Sequence, residues 1–342
     1  MALHNKFSKQ ELRKKLMEET FGRTTVSFYK YVKIEDTQAL RDDLYLKFDA
    51  LNIFGRIYLA SEGINAQISV PSHHWEKFIQ SLISYSLFSG IPLKKALEDD
   101  GKSFYKLIIK IRDKIVADGL NDNTFDAGDV GKHLSAKEFN EALKNGALVV
   151  DMRNHYESEV GHFKGAIRPD ADTFKQELPI ALDLLKEKKE EKILLYCTGG
   201  IRCEKASAFL RHHGFKDVNQ LYGGIIDYVR QVKLENLENY FIGKNFVFDE
   251  RLGERVSAEI ISACHQCGTP SDNHTNCKNQ DCHLLFIQCK ECEKKFDGCC
   301  SAGCKEIFAL PIEIQRKIRK GKIKNDTHAV YKKGRLRPGL KK

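Results

Sequence analysis

Residues 192–214 read KILLYCTGGIRCEKASAFLRHHG. The stretch opens on an apolar run, Ile193, Leu194, Leu195 and Tyr196, which reads as a buried strand. Cys197 closes it. Gly199 and Gly200 then permit a turn that side chains would block. After Arg202 the apolar spacing becomes helical, through Ala206, Phe209 and Leu210, with Gly214 as the stop. A cysteine is thereby set between the carboxyl end of a strand and the amino end of a helix, among backbone N–H groups. The helix terminus and Arg202 both favour negative charge there, which lowers a thiol pKa and makes a nucleophilic thiolate. A buried structural cysteine is the competing reading. Thr-Gly-Gly followed by a basic residue argues against it.

Outward from this stretch, strands alternate with helices. HLSAKEFNEALKNG is a helix with Ser135 as N-cap and Glu138 positioned for a capping box. ALVVDMRN is a buried strand, and ELPIALDLLKEKKEE a polar helix. VNQLYGGIIDYV gives another strand, a Gly-Gly turn and a helix. This alternation predicts a parallel sheet covered on both faces, with Cys197 at a strand's carboxyl end, where open α/β sheets place ligands.

The spacing of Cys197 and Arg202, C-x4-R, is one residue shorter than the C-x5-R loop that wraps a phosphate. Taken with V-V-D-M-R-N-x-x-E-x-x-x-G-H-F-x-G-A at Val149–Ala166, Y-C-T-G-G-I-R-C, and Y-G-G-I from Tyr222, it resembles a rhodanese domain. The resemblance makes Thr198, Gly199, Gly200, Ile201 and Cys203 an active-site loop around Cys197 and Arg202. It makes Asp151 and Arg153 a conformation-setting strand end, and puts His162 in a loop nearby. Physically, Asp151 can pair with Arg153.

The chain before residue 120 follows a different pattern. Residues 1–20 are a polar, helical lead-in. TTVSFYKYVKI is a strand, and DTQALRDDLYLKFDALN a helix with Asp36 as N-cap. GRIYLA and NAQISV are strands about a Ser61-Glu62-Gly63 turn, PSHHWEKFIQSLISY is a second helix, and SFYKLIIKIR a last strand. The order βαββαβ predicts a ferredoxin-like domain over 21–120, a fold that fixes no activity. Arg56, Glu62 and Asn65 are expected to make turn and surface contacts. Residues 121–132, rich in Asn, Asp and Gly, read as a linker, and the parallel α/β domain as 133–235.

Cysteine content decides the next segment. Of eleven cysteines, nine lie between Cys264 and Cys304. Cys264-x2-Cys267, Cys277-x4-Cys282, Cys289-x2-Cys292, and Cys299 or Cys300 with Cys304, make four knuckles. Four knuckles supply two four-sulfur zinc sites with one thiol to spare. The ligands are taken as Cys264, Cys267, Cys277, Cys282, Cys289, Cys292, Cys300 and Cys304, with His265, His274 and His283 as possible substitutes. Sequential and crossed pairings fit the spacing equally. Residues 236–312 hold few apolar side chains and need such staples to fold.

The charge sits at the end. Residues 313–342 hold twelve Lys or Arg against two Asp or Glu, a net of +10, while the whole 342-residue chain carries +9. Such a basic tail suits phosphates, or it is only a solvated end. The charged N-terminus is not a signal peptide, and no apolar run approaches a membrane span. A cytoplasmic, reducing compartment follows, and the cysteines are then expected to be thiols or metal ligands.

The whole arrangement, a ferredoxin-like domain, CTGGIRC in a rhodanese domain, and a CxxC-rich end with CCSAGC, resembles the oxygen-dependent tRNA uridine hydroxylases. That resemblance implies conversion of the wobble uridine to 5-hydroxyuridine with molecular oxygen as co-substrate, Cys197 as the essential thiol, and the tRNA anticodon loop as partner. A thiolate adding to C6 of uracil makes C5 electron-rich, and Arg202 with loop N–H groups is suited to the oxyanion. No flavin, nicotinamide or haem motif and no two-histidine-one-carboxylate iron triad is evident, and no protein partner is identifiable. Cys203 is either a second thiol that resolves an oxidised Cys197 or a packing residue. Two other classes fit the residues: a sulfurtransferase carrying a Cys197 persulfide, and a non-catalytic RNA-binding zinc protein.

Overall fold

The computed structural model describes residues 7–120, 126–320 and 330–331. The start of the lead-in, part of the expected linker and most of the basic tail lie outside the described residues.

Helix α1 (Lys9–Met17) begins at a capping box, Ser8 accepting from the Glu11 amide and Glu11 from the Ser8 amide. It leads into β1 (Arg23–Tyr31), α2 (Thr37–Ala50), β2 (Phe54–Ala60), β3 (Gly63–Pro71), α3 (Trp75–Ile83), β4 (Lys94–Lys95) and β5 (Leu107–Ile111). Asp36 caps α2 through the Ala39 amide at 2.8 Å. The strands form one sheet in the order β4-β1-β3-β2-β5. Phe28, Ile57, Ile64 and Ile68 point from it onto Phe48 of α2 and Phe78 of α3, all buried. The ferredoxin-like pattern is present with one correction. The strand expected last, over 103–112, does not lie beside β1. It is β5, parallel to β2 at the far edge, where it packs against α2. The two-residue β4 takes the place beside β1. Periodicity marks a strand but carries nothing about which edge it joins.

The second sheet is built from β6 (Lys132–Leu134), β7 (Leu148–Asp151), β9 (Lys192–Tyr196) and β10 (Asp217–Leu221). Their order is β6-β10-β9-β7, and every pairing is parallel. Ile193 and Leu195 face α6 (Phe174–Leu185) and α7 (Ile201–His212). Leu194 and Tyr196 face α4 (Ala136–Lys144) and α8 (Gly224–Leu234). Both faces are therefore covered, which is why the strand text is apolar without alternation. Between β7 and α6 lie α5 (His155–Val160) and β8 (Gly161–Phe163).

Beyond α8 the chain is not separate from this core. β11 (Phe241–Asn245) pairs with β8 on one side and with β12 (Glu254–Arg255) on the other. A small hairpin, β13 (His274–Asn276) and β14 (Leu285–Ile287), then carries three short helices, α9 (Lys290–Phe296), α10 (Ala302–Ala309) and α11 (Ile312–Arg319).

Arg56, Glu62 and Asn65 join segments rather than decorate a surface. Arg56 donates to the Phe248 carbonyl at 2.7 Å. Glu62 accepts from Lys205 of α7 at 2.8 Å and from the Ile115 amide at 2.9 Å. Asn65 donates to the Ile115 carbonyl at 3.1 Å. The N-terminal sheet is thereby clamped onto the helix that follows Cys197.

Candidate active site

The loop after β9 is shaped by two glycines. Gly200, at φ +100°, caps α7 and donates its amide to the Cys197 sulfur at 3.1 Å. Gly224, at φ +67°, lets α8 begin against the loop. There the Ile225 amide reaches the Cys197 carbonyl at 3.0 Å and the Ile226 amide the Thr198 carbonyl at 3.2 Å. A Cβ at Gly224 would stand 2.5 Å from the Cys197 carbonyl oxygen, so the Gly-Gly turn is a packing requirement.

Cys197 is fully buried. Burial alone would push its thiol up. The Cys203 thiol, the Arg202 guanidinium and the Arg202 and Cys203 amides outweigh burial and bring it down to about 6. Cys203 moves the opposite way, well above the usual thiol range, through its own burial and its bond to Cys197. One thiol ionises and its neighbour keeps its proton.

Arg202 departs from its expected role. Both of its terminal nitrogens are held by Glu157, at 2.6 and 2.9 Å, and both side chains are buried. Its charge supports the thiolate, but its fork is engaged and not aimed at a substrate. Glu157 stands in the motif at Val149–Ala166, but the sequence assigns it no role. It is the N3 residue of the α5 capping box, accepting from the Asn154 amide at 3.0 Å. Its place in the motif at Val149–Ala166 and its N-x-x-E spacing are the sequence signals, and neither names Arg202 as its partner. Glu177 of α6 is a second omission. It is fully buried, neither carboxylate oxygen has a partner among the described residues, and burial pushes its pKa well up.

Asp151 and Arg153 do pair, bidentately, at 2.8 and 2.7 Å. Tyr196 donates to Asp151 at 2.6 Å, and Arg153 donates to the Gly161 carbonyl at 2.6 Å. This buried network ties β7, β9 and β8 together. His162 sits in β8, with Nδ1 2.8 Å from the Ser158 carbonyl and 3.5 Å from Arg168. Its contacts belong to that side of the sheet, not to the Cys197 loop.

The N-terminal domain forms a wall of the site. Tyr29 of β1 donates to Glu204 at 3.0 Å, and a Cβ on Gly200 would lie 2.8 Å from its hydroxyl. Lys94 of β4 stands over the Tyr29 ring, 4.6 Å from its centre. Cys197, Thr198 and Gly199 open with these strands onto a cleft of about 2380 Å³, whose other walls include Arg56, Arg112, Lys278, Arg316 and Arg319.

The cysteine-rich segment contributes two sets of thiols. Cys264, Cys267, Cys289 and Cys292 converge, as do Cys277, Cys282, Cys300 and Cys304, with the sulfurs of each set within 4.8 Å of one another. The pairing is thus crossed, first knuckle with third and second with fourth. Cys299 is the spare, and His265, His274 and His283 stand outside both sets. Sulfur separations of 3.5 Å (Cys267–Cys289) and 3.6 Å (Cys282–Cys300 and Cys300–Cys304) suit a tetrahedral ion with metal–sulfur bonds of about 2.3 Å. Both sets are able to hold a metal ion.

Fold and site together define a rhodanese-domain protein with an ionisable buried thiol, walled by an N-terminal α+β domain and followed by a cysteine module able to hold metal ions. Family models agree segment by segment: a UPF0176 acylphosphatase-like domain matches residues 23–115, a rhodanese-like domain 135–231 and a rhodanase C-terminal segment 242–305. The tRNA uridine(34) hydroxylase of Leptospira interrogans is 56% identical over 99% of this chain and 92% of its own. Those of Cronobacter sakazakii and Escherichia fergusonii are 55% and 54% identical, over 99% and 98% of this chain and 97% and 96% of theirs. The chain belongs to the tRNA uridine(34) hydroxylase family. Among the described residues no helix is long and apolar enough to cross a membrane.

Proposed function

We propose that this protein hydroxylates C5 of the wobble uridine of tRNA, with Cys197 as nucleophile and molecular oxygen as co-substrate. The observation that carries the reading is the Cys197 thiol, brought down to about 6 on a large cleft whose walls include Arg56, Arg112, Lys278, Arg316 and Arg319. At neutral pH that sulfur is mostly ionised. Its attack on C6 forms the S–C6 bond and moves the ring's π pair toward C5 and O4. C5 becomes the electron-rich carbon that reacts with oxygen. One oxygen atom stays on C5, and the other leaves as water with two electrons and two protons from a reductant. Loss of the C5 proton with expulsion of the thiolate restores the C5–C6 double bond, and that proton completes the reduction to a hydroxyl and water.

A base must leave its stack to reach a buried sulfur, and a single-stranded anticodon loop offers such bases at least cost. The anticodon loop of a cytosolic tRNA is therefore the proposed substrate. Zinc is the proposed metal at both four-cysteine sets, where it supplies folding free energy and no redox chemistry.

Nucleoside mass spectrometry of tRNA tests the function. A strain lacking the gene should lose 5-hydroxyuridine and its derivatives. Wild-type protein should restore them and Cys197→Ser should not. Loss of a thiolated uridine instead would make the protein a sulfurtransferase, and an unchanged profile would make it a non-catalytic binder.

A further inference from the structure

We infer that Lys94, delivered by the N-terminal domain, is the cation that meets negative charge developing on the substrate beside Cys197. The inference rests on the reading of Cys197 as nucleophile. It gives to Lys94 the role that sequence alone assigns to Arg202.

Four observations carry it. First, Arg202 is spent: both ends of its fork lie on Glu157. Second, Lys94 is only 5% exposed, yet among the described residues its ammonium makes no hydrogen bond or ion pair. An ammonium without such a partner at the wall of a cleft is free to receive a ligand there. Its nearest compensation is the face of Tyr29 at 4.6 Å. Asp227, the acid that acts on it most strongly, is engaged with Arg230 at 3.1 Å. Third, Lys94 is fixed relative to the loop. β4 packs on α8, the helix whose first amides hold the Cys197 and Thr198 carbonyls. Tyr29 beneath it touches Gly200 and bonds Glu204. Fourth, space is open beside the loop: a Cβ at Gly199 would meet nothing within 4 Å, and Lys94 lines the same cleft as Cys197, Thr198 and Gly199. The neighbouring Lys95 faces the other way, is exposed and lies on Trp75. One of two adjacent lysines is thus turned inward, onto Tyr29, with the Cys197 sulfur among the charges that act on it.

The fitting ligand is the enolate oxygen of a pyrimidine base. When the Cys197 sulfur bonds to C6, its negative charge passes to C5 and O4, and no electron is gained or lost overall. A fixed ammonium in a water-poor site stabilises that charge in the transition state more than in the neutral base. Burial lowers the Lys94 pKa, and the charges of Asp227, Cys197 and Glu204 oppose that shift; the step takes no proton from the ammonium, and cleavage of the S–C6 bond returns the charge to sulfur.

The test uses the full chain and compares wild type, Lys94→Met, Lys94→Arg and Cys197→Ser. For each, single-turnover formation of 5-hydroxyuridine at saturating tRNA, tRNA affinity and melting temperature are measured. Lys94→Met should slow the single turnover on the order of 10²–10³-fold, with tRNA affinity and melting temperature kept. Lys94→Arg should recover part of the rate. Three results would overturn the inference while leaving Cys197 in place: a wild-type rate for Lys94→Met beside a dead Cys197→Ser; a loss confined to affinity, the mark of a phosphate contact; or a fall in melting temperature that accounts for the slower rate. A wild-type rate for Cys197→Ser would remove the underlying reading, and the inference with it.

Discussion

The ionisation of Cys197 is the property from which the chemistry follows, and it is measurable without substrate. The rate of iodoacetamide alkylation at Cys197 should inflect near pH 6, well below the roughly 8.5 of an unperturbed cysteine. Cys203→Ala removes one of the bonds that bring the thiol down, so the inflection should move up. An unchanged inflection would mean that Cys203 only fills space. Glu177 gives a separate prediction. Its folded-state pKa is raised above its unfolded value, so the folded chain holds a proton that the unfolded chain releases. That linkage costs stability increasingly as pH rises past the unfolded value of about 4.3. Glu177→Gln should therefore be stabilising, by an amount that grows with pH above that point in urea titrations. A gain that shrinks with rising pH would show that Glu177 is ionised in the fold. At this scale the sequence revealed Cys197 and its loop because the motif is contiguous. It concealed the roles of Glu157, Glu177 and Lys94, which depend on partners brought from distant segments.

Among the elements, strands and helices were legible wherever the apolar period was clear, and the caps at Asp36 and Ser135 form as their residue types demand. Neighbours were harder. The fold puts β5 and β4 on opposite edges, a choice governed by packing on α2 and α8 that no period expresses. The cysteine knuckles show the same limit. Their spacing fixes a ligand count, whereas the crossed pairing comes from the β13–β14 hairpin and helices α9 and α10 bringing alternate knuckles together. Two ions per chain are expected, zinc by the donor set. Metal analysis of the purified chain should find both, and a strong chelator should lower its melting temperature, since structural zinc is folding free energy. A folded, active chain without zinc would contradict this.

Over the whole molecule, function belongs to the junction of segments. The rhodanese-like sheet holds the thiol, the N-terminal sheet supplies Tyr29 and Lys94, and α11 brings Arg316 and Arg319 to the cleft. Of the basic tail expected to meet phosphate, only residues 313–320 and 330–331 are described, so the electrostatic prediction attaches to α11. Arg316→Ala with Arg319→Ala should weaken binding of all tRNAs alike. The log–log salt slope should fall by roughly 0.7 to 0.9 for each phosphate that the variant no longer neutralises. Selectivity for the base should stay, because phosphate contacts position and base contacts specify. An unchanged slope would show that these arginines do not touch the backbone.

The most direct measurement of the central claim follows the oxygen atom. Purified chain and unmodified tRNA are incubated under isotopically heavy O2 in ordinary water, and the wobble nucleoside is weighed by mass spectrometry. The account predicts 5-hydroxyuridine carrying one heavy oxygen with wild type and none formed with Cys197→Ser. Product whose oxygen comes from water, or product formed equally well without the Cys197 thiol, would contradict it.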